Sequence, residues 1–455
     1  MRRLTILMLT IAMVCTATAQ ERATAREELK ANKFLSASNY LDYDNYPATK
    51  ALTPTPKGYE PYLMNHYGRH GSRWLINETS YTRPLDVLRK ADKQGKLTAK
   101  GQDVLRQVEA VYASSVKRLG DLSSVGERQH HGIGRRMAQH FPEIFKKKDV
   151  PVDARSTVVI RCILSMVAEC EELAAANPTA RFHNDVSDSL QFYLNQPRSE
   201  FIKSIRNKTR NERRDMTRKF QESVQPERMM QLLFNDGQWA ADSVKGSDLM
   251  YQLFEVASNM QSHELGLNLY PIFTDEEIYQ QWRIRNIGWY LDYGAAPQGD
   301  GLQPFSQLNL LKDIIHVADT TRQTAAVLRF GHEVCVMPLA CLLELGFCGI
   351  SVSNMDELDA QWRNYDIFPM ACNVQLVFYR PQKGKKGDIL VKALLNEREV
   401  SLPVKTDRYP YYRWDDLRQY YLDKISSFEA KERAFEESRA AERAEANESA
   451  SASNN

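Results

Sequence analysis

The sequence contains no C-x-x-C pair, no internal repeat and, after its first twenty positions, no run of eighteen apolar residues. The missing cysteine pairs argue against a structural zinc site, and the missing apolar run excludes a membrane helix in the body of the chain. A net charge of only +2 over 455 residues gives no overall attraction to nucleic acid or to an anionic membrane. Any basic site must therefore be local.

The first nineteen residues have the three parts of a secretory signal peptide. Arg2 and Arg3 precede an apolar run, which ends in Ala17-Thr18-Ala19. We therefore predict export to a periplasm or the cell exterior, with cleavage after Ala19. Over the whole chain 43% of the residues are hydrophobic and 26% are charged, which is typical of an ordinary globular protein.

Strand and helix patterns alternate along most of the chain. The predicted strands are residues 59–68, 150–160, 324–330, 373–380 and 388–403. The predicted helices fill residues 82–145, with a break near Gly95, and residues 161–177 and 333–345. This alternation predicts an α/β fold. In open α/β sheets, ligands bind at the carboxyl ends of the strands, where each strand is followed by a loop or helix.

Changes in amino-acid composition and hydrophobic pattern divide the chain into further segments. Residues 20–190 and 291–427 are predicted to be two parts of one core, and residues 20–57 within it form an arm on the surface. Residues 191–290 are helical in pattern and strongly charged, which indicates an inserted helical cap. Residues 428–455 begin as helix, but the last of them carry too little apolar surface to stay ordered.

The most informative stretch is Arg69-His70-Gly71-Ser72-Arg73. A guanidinium group is charged at any working pH, and its planar fork matches two oxygens of a phosphate. A neighbouring glycine lets the backbone approach the same anion closely. In that setting His70 can attack phosphorus while the arginines stabilise the oxygens of the transition state. The alternative is a surface loop of mixed charges.

Four segments, in this order, resemble the histidine acid phosphatases, the branch of the phosphoglycerate-mutase-like superfamily that includes the phytases. They are RHGSR at 69–73, LSSVGERQHHGIGRRMA at 122–138, ARSTVVIRCILSMVAE at 154–169 and LRFGHEVCVMPLACLLEL at 328–345. A later segment, ILVKALLNEREVSLP, most resembles the multiple inositol polyphosphate phosphatases. The resemblance implies a three-layer α/β/α core and a phosphatase that needs no metal or organic cofactor, because arginines supply the positive charge.

The same resemblance implies roles for six residues. His70 would be the nucleophile, and Glu333 would give a proton to the leaving oxygen. The residues that would bind the phosphate are Arg69, Arg73, Arg161 and His332. Two positions depart from the family. Leu75 stands where phytases have proline, and Glu333 stands at the position of the usual aspartate, whereas Val334 stands where inositol polyphosphate phosphatases have glutamate.

Three other patterns have competing interpretations. The basic residues of segment 203–219 either hold further phosphates of a polyphosphorylated ligand or form a solvated helical face. An H-E-x-x-H zinc site is excluded, because Val336 occupies the position of the second histidine. The neighbours His130 and His131 are expected on the surface of a helix.

We therefore predict an exported phosphomonoesterase that works through a phosphohistidine intermediate, on phytate or another inositol polyphosphate. A broad acid phosphatase for sugar phosphates or nucleotides is one alternative, and a non-catalytic binder of phosphorylated ligands is another. The predicted partner is thus a small phosphomonoester, and neither nucleic acid nor a membrane span is expected. The sequence leaves the oligomeric state open.

Overall fold

One eight-stranded sheet runs through the centre of the protein. The structure, a computed structural model, describes residues 22–46 and 51–453, so the predicted signal peptide lies outside the described residues. The strands are β1 (Tyr59–Arg69), β2 (Pro151–Ser156), β3 (Arg181–Asp185), β4 (Ala325–Gly331), β5 (Asn373–Pro381), β6 (Leu390–Leu395), β7 (Arg398–Val400) and β8 (Tyr412–Arg413). Their order is β3-β2-β4-β1-β5-β6-β7, and β8 pairs with β6.

Helices supply the rest of the regular structure. They are α1 (Ala25–Ala31), α2 (Thr79–Lys93), α3 (Ala99–Ser115), α4 (Ser124–His140), α5 (Pro142–Phe145), α6 (Ile160–Ala176), α7 (Gln191–Leu194), α8 (Glu200–Lys208), α9 (Arg210–Glu222), α10 (Glu227–Leu233), α11 (Gly237–Ser243), α12 (Gly246–Asn259), α13 (Asp275–Tyr293), α14 (Leu308–Thr320), α15 (Glu333–Leu342), α16 (Leu358–Gln361) and α17 (Trp414–Ser453). None of those in the described part of the chain is long and apolar enough to cross a membrane.

The direction of the strands divides the sheet into two halves. Strands β3, β2, β4 and β1 are parallel, whereas β5, β6 and β7 continue the sheet antiparallel from β1. Arg69, at the end of β1, pairs with Gly331 at the end of β4, and Ser156 of β2 pairs with Phe330. The carboxyl ends of three neighbouring strands therefore meet at one edge of the sheet, where ligands bind in such folds.

Both faces of the sheet are covered by helices. Successive residues of a strand point to opposite faces, so Leu63 of β1 packs in a buried cluster with Leu311 of α14. The next residue, Met64, packs in another cluster with Met137 of α4 and Met166 of α6. Strand β4 is buried along its whole length, as expected for a parallel strand between two helical layers. The predicted α/β/α architecture is confirmed.

Several predicted elements differ from the structure in detail. The segment 388–403 forms two strands, because Asn396 and Glu397 have φ angles of 51° and 62° and turn the chain. Helices α7 to α13 fill the region predicted as a cap, while the domain boundaries themselves stay a prediction. Helix α17 extends to Ser453, where the sequence predicts partial disorder, since alanine, glutamate and arginine favour helix without burial.

Two expectations about exposure are wrong. The arm after the predicted signal peptide buries Leu29 and Leu35 against Trp282 and Tyr365, because its scattered apolar residues fill gaps beside the cap instead of forming a periodic face. His130 is only 1% exposed, since α4 packs this side against α6, and its Nδ1 lies 3.0 Å from a carboxylate oxygen of that helix. Adjacent residues on a helix thus have different environments.

Candidate active site

The ends of three parallel strands bring the six predicted site residues together. Strand β1 ends at Arg69, and His70 follows directly. His332 follows β4 in the same way, and Glu333 is the first residue of α15. Arg161 lies in the first turn of α6, which follows β2. Arg69 Nε lies 3.1 Å from Glu333 Oε2, and the ring centroids of His70 and His332 are 5.7 Å apart. The charges of Arg161 and Arg73 also lower the pKa of His70, so the six residues belong to one site.

His70 is held in the form that a nucleophile needs. Its Nδ1 lies 2.9 Å from the carbonyl oxygen of Gly71, and because a carbonyl can only accept, Nδ1 carries the proton. The other nitrogen, Nε2, therefore has a free lone pair, and it makes no hydrogen bond within the described chain. Burial, and next the charge of Arg69, hold the pKa of His70 well below its usual range. The imidazole is neutral at working pH.

The loop after His70 passes very close to α4. A Cβ on Gly71 would lie 2.3 Å from the carbonyl oxygen of Gly126, so neither residue tolerates a side chain there. Two side chains hold the backbone of this loop. The amide of Gly71 donates to Ser165 Oγ at 3.1 Å, and the amide of Ser72 donates to Gln129 Oε1 at 2.9 Å. The loop is thus rigid before any ligand arrives.

Arg69 is fixed by backbone carbonyls from distant segments. Its Nη1 donates to the carbonyl oxygens of Asn39 at 2.6 Å, Pro369 at 3.1 Å and Phe368 at 3.3 Å. Its Nε lies 3.1 Å from Glu333 Oε2. Nη1 is therefore used for anchoring, Nε is paired with Glu333, and Nη2 makes no hydrogen bond within the described residues.

Arg73 and Arg161 bring further positive charge into the same pocket. Arg73 is 3% exposed and donates from Nη1 to the carbonyl oxygen of Trp74 at 2.9 Å. Burial lowers the pKa of Arg161, and the nearby charge of Arg73 lowers it further. In the part of the chain that the structure describes, the only ion pair these three arginines make is that between Arg69 and Glu333. Two buried cations and one half-buried cation with so little compensation favour an anion as ligand.

His332 completes the wall opposite His70. The centroids of the two rings are 5.7 Å apart, and Nε2 of His332 lies 3.4 Å from Thr157 Oγ1. Burial, the largest cause, and the charges of Arg161 and Arg69 lower the pKa of His332 to about 4, although the charge of Glu333 opposes them. This imidazole is therefore neutral in the unliganded pocket above pH 4, and it can donate one hydrogen bond to an anion.

Glu333 is the carboxylate of the pocket. Burial raises its pKa, but the charges of Arg69 and Arg73 outweigh this and lower it to about 2. The ligand atoms of His70, His332 and Glu333 lie within 4.8 Å of one another, close enough to hold one metal ion. The surrounding guanidinium groups would repel such a cation, so the whole set of residues fits an anion better.

Some residues that shape the pocket were not assigned a role from the sequence. Gln129 and Ser165 lie within the segments that carry the family resemblance. Because they are polar side chains inside helices of these segments, the sequence contained a signal by which their role could have been recognised. Asn39, Phe368 and Pro369 act through backbone carbonyls. A carbonyl is present in every residue, so no side-chain pattern could have identified these three.

Comparisons with known proteins agree with this geometry. The sequence model of the histidine phosphatase superfamily, branch 2, matches residues 68–396. The fold is similar to that of the Bifidobacterium longum multiple inositol polyphosphate phosphatase in complex with inositol hexasulfate, with a TM-score of 0.68 and 18% identity over 85% of this chain and 97% of that chain. It is also similar to the phytase from D. castellii, with a TM-score of 0.63 and 13% identity over 90% and 88%. No curated protein matches the sequence.

Proposed function

Since the chain belongs to branch 2 of the histidine phosphatase superfamily and is a phosphatase, we propose that it hydrolyses phosphomonoesters through a phosphohistidine formed on His70. One observation carries the proposal. The free Nε2 of a buried, neutral His70 lies in a site where three arginines have a single carboxylate partner among the described residues. A phosphate ester is the ligand that such a pocket attracts and that such a nitrogen attacks.

The reaction takes place in two steps. In the first, His70 Nε2 forms a bond to phosphorus while the bond to the alcohol oxygen breaks, and Glu333 gives its proton to that oxygen. In the second, water attacks the phosphohistidine, Glu333 takes up a proton from this water, and the bond between nitrogen and phosphorus breaks. Arg69, Arg73 and Arg161 stabilise the phosphoryl oxygens in both transition states.

The acid role of Glu333 depends on the substrate. A carboxyl group with a pKa of about 2 is ionised at any ordinary pH and cannot donate a proton. A phosphate bound at Arg69 places negative charge next to this carboxylate. In addition, the guanidinium of Arg69 then stabilises the phosphate instead of the ionised form of Glu333. Both effects raise the pKa of Glu333. Substrate binding thus converts the residue from a counter-ion of Arg69 into a general acid.

The cap supports a substrate with several phosphates. In helix α9, the side chains of Arg218 and Lys219 are exposed and pair with Asp215 and Asp356. A second set behaves differently, and we call it the cap arginine cluster. It consists of Arg198, Arg206, Arg210 and Arg213.

A single carboxylate compensates this cluster within the described residues. Asp292 pairs with Arg213 and lies 3.4 Å from Arg206. Burial and, next, the charges of Arg206, Arg210 and Arg198 together lower the pKa of Arg213 to about 10. Part of this lowering comes from repulsion between cations, and four arginines share one carboxylate, so the cluster retains an excess of positive charge.

Two chains of contacts connect the cap arginine cluster to the pocket. Gln196 donates to the carbonyl oxygen of Val334 at 2.8 Å, and the segment that carries it continues into the cluster. Arg198 and Arg206 lie over the ring of Tyr293, which packs on Trp289 at 5.0 Å between ring centroids. Trp289 in turn packs at 4.7 Å on the residue whose carbonyl anchors Arg69.

We therefore propose an inositol polyphosphate, such as phytate, as the substrate. One phosphate would bind at His70, and another would lie toward the cap arginine cluster. The names of the two structural relatives, an inositol polyphosphate phosphatase and a phytase, agree with this choice.

We also propose that the enzyme works outside the cytoplasm. The argument is the sequence of residues 1–19, with its paired arginines, apolar run and Ala17-Thr18-Ala19. Expression of the full chain, fractionation of the cells and N-terminal sequencing would test it. A mature protein that begins at Gln20 outside the cytoplasm supports export, and an uncleaved cytoplasmic protein contradicts it.

The decisive experiment measures phosphate release and the covalent intermediate together. Inositol hexakisphosphate and p-nitrophenyl phosphate are compared from about pH 3 to about pH 8, with a chelator present. Acid quenching followed by mass spectrometry should find a phosphoryl group on the peptide that contains His70. His70→Ala should abolish both signals, whereas His183→Ala, at a residue with a 75% exposed side chain, should change neither. A folded wild type without activity on both substrates contradicts the proposal.

A further inference from the structure

Two residues of the arm reach the segment 69–73, which we call the catalytic loop. Asn39 contributes its backbone carbonyl oxygen, which accepts from Arg69 Nη1 at 2.6 Å. Asp42 contributes its side chain, which contacts the loop through Gln129 of α4. A backbone carbonyl is present at every position, whereas the second contact depends on the carboxylate of Asp42.

A chain of hydrogen bonds connects Asp42 to the backbone of the catalytic loop. Gln129 is only 1% exposed, and its Oε1 accepts from the amide of Ser72 at 2.9 Å. Its Nε2 donates to Asp42 Oδ1 at 2.5 Å and to Ser72 Oγ at 2.9 Å. Asp42 Oδ1 also accepts from the backbone amide of Asp44 at 3.1 Å. The carboxylate therefore holds the side chain that in turn holds the loop, two residues after His70.

The carboxylate determines which way the amide of Gln129 is turned. A side-chain amide has one end that donates and one end that accepts, and the hydroxyl of Ser72 can pair with either end. An ionised carboxylate only accepts, so the donating end must face Asp42 and the accepting end then faces the amide of Ser72. In the reverse orientation two donors would meet, and the buried N–H of Ser72 would lose its partner, which is costly.

We propose that Asp42 is a positioning residue for phosphoryl transfer, which holds the catalytic loop, and with it His70, through Gln129. The effect on the reaction rate rests on the proposed function, whereas the effect on the loop does not. Attack on phosphorus depends on exact placement, because a displacement of about 1 Å can cost about a hundredfold in rate. Asp42 lies before residue 68, where the match to the family model begins, so the family motifs do not include it.

Steady-state kinetics with p-nitrophenyl phosphate give the first test. In Asp42→Ala the amide of Gln129 can turn, so kcat should fall about tenfold to a hundredfold while KM changes less. Asp42→Asn should restore most of kcat, because its Oδ1 can accept from Gln129 and the backbone amide of Asp44 keeps this oxygen in place. Asp44→Ala is the matched control, since it removes an exposed carboxylate from the same arm and keeps that amide. An equal loss in Asp42→Ala and Asp42→Asn contradicts the proposal.

The pH profile of Gln129→Glu gives a second test, which a purely structural role of Asp42 would not affect. Glutamate keeps an oxygen for the amide of Ser72 but places a second carboxyl group against Asp42, and two such groups share one proton. Sharing raises the pKa of the pair above that of an ordinary carboxyl group. Their hydrogen bond therefore exists at low pH and is lost as the pH rises through the raised pKa. The activity relative to the wild type should fall over the same rise in pH.

The double variant with Asp42→Asn and Gln129→Glu isolates the cause of this fall. It has a single carboxyl group at this place, so the relative activity should no longer fall with rising pH. The other charges that act on Asp42 are those of Asp44 and Arg128, which are exposed and act in opposite directions. A fall that persists in the double variant contradicts the proposal, because its cause would then lie elsewhere.

Hydrogen exchange of the unliganded protein gives a readout that does not require activity. Peptides that contain the catalytic loop should exchange faster in Asp42→Ala than in the wild type, whereas Asp44→Ala should leave them unchanged. Circular dichroism shows that each variant is folded. A wild type without phosphatase activity would contradict the proposed function, and the exchange rates would still decide whether Asp42 holds the loop. Wild-type exchange in a folded Asp42→Ala overturns the proposal, and so does faster exchange with an unchanged kcat.

Discussion

Two arginine-rich regions of this protein differ in how their charges are held. In the catalytic pocket, Arg69 is fully buried and is anchored by three backbone carbonyls. In the cap, Arg206 and Arg210 lie on helix surfaces, and Arg206 shares Asp292 with Arg213. The first arrangement fixes a guanidinium at one place before the substrate arrives. The second arrangement supplies positive charge, but the positions of its guanidinium groups are less exactly fixed.

This difference indicates a division of labour. Catalysis requires donors that are already aimed at the oxygens of the transition state, because a donor that must first reorganise loses much of its value. Binding of a distant phosphate requires only charge within reach. We therefore expect changes to the arginines of the pocket to lower kcat for every substrate. Changes in the cap should raise KM, and only for substrates with more than one phosphate.

Among changes to the two arginine-rich regions, the largest effect is expected for Arg69→Lys. Lysine keeps the charge but cannot donate to the carbonyls of Asn39 and Pro369 and to a phosphate at once. We expect kcat/KM to fall by about 10³-fold for both p-nitrophenyl phosphate and inositol hexakisphosphate. Steady-state kinetics on both substrates measure this. Arg135→Lys is the control, since Arg135 has a 59% exposed side chain and pairs with Glu172 outside the pocket. An effect confined to one substrate would contradict the division of labour.

The next effect concerns the proton donor. Glu333→Gln removes the proton that a poor leaving group needs, so kcat for inositol hexakisphosphate should fall by about 10²-fold. p-Nitrophenolate leaves without protonation, so kcat for p-nitrophenyl phosphate should fall much less. The ratio of the two losses is the measurement. Equal losses on both substrates would indicate that Glu333 positions the phosphate instead of donating a proton.

Anion binding at the pocket should take up a proton at Glu333. The pKa of Glu333 is about 2 in the free protein, and a bound anion raises it. Between these two values the free protein is ionised and the complex is protonated. The affinity for an anion is therefore greatest at low pH and falls as the pH rises through the pKa of the complex.

Calorimetry with inositol hexasulfate tests this coupling, because sulfate groups do not titrate in the relevant range. Titrations in buffers of different ionisation enthalpy give the number of protons taken up. His332 has a pKa of about 4 and can also gain a proton, so the experiment is repeated with Glu333→Gln. Uptake should decrease in this variant. An uptake that is the same in both proteins would assign the proton to a histidine.

The sequence predicts the catalytic half of the molecule well for a physical reason. The residues predicted as nucleophile, phosphate-binding arginines and acid lie at or after the ends of parallel strands, and a strand followed by a short polar motif is visible in the pattern of residues. The register of the sheet then brings the two histidines together, since pairing of Arg69 with Gly331 places His70 and His332 side by side. Motif and topology together were sufficient to place all six residues in one pocket.

What the sequence could not predict depends on contacts without a local pattern. The anchoring of Arg69 uses carbonyls of Asn39 and Phe368, which lie hundreds of residues apart. The basic segment of the cap shows the same limit. Its pattern does not distinguish Arg218, which pairs with Asp215 in its own helix, from Arg206, whose partner Asp292 comes from another helix. Only tertiary structure separates these residues.

The difference between the arginines of the cap arginine cluster and Arg218 leads to the smallest of the predicted effects. Arg198→Gln and Arg206→Gln each remove one charge from the cap arginine cluster, and a partly exposed contact to one phosphate contributes modestly. We expect KM for inositol hexakisphosphate to rise about five- to tenfold in each variant, with kcat nearly constant. KM for p-nitrophenyl phosphate should not change, because this substrate has no second phosphate.

Arg218→Gln is the matched control for these cap variants, since it removes the same charge from the neighbouring helix surface, where the side chain is 55% exposed and already paired. Its KM for inositol hexakisphosphate should stay within twofold of the wild type, as is common for exposed ion pairs. If all three variants raise KM equally, the cap acts through its total charge, and the position of the cluster beside the pocket has no special role. If only Arg198→Gln and Arg206→Gln raise KM, the second phosphate lies near these two arginines, on the side of the site to which Tyr293 and Trp289 connect them.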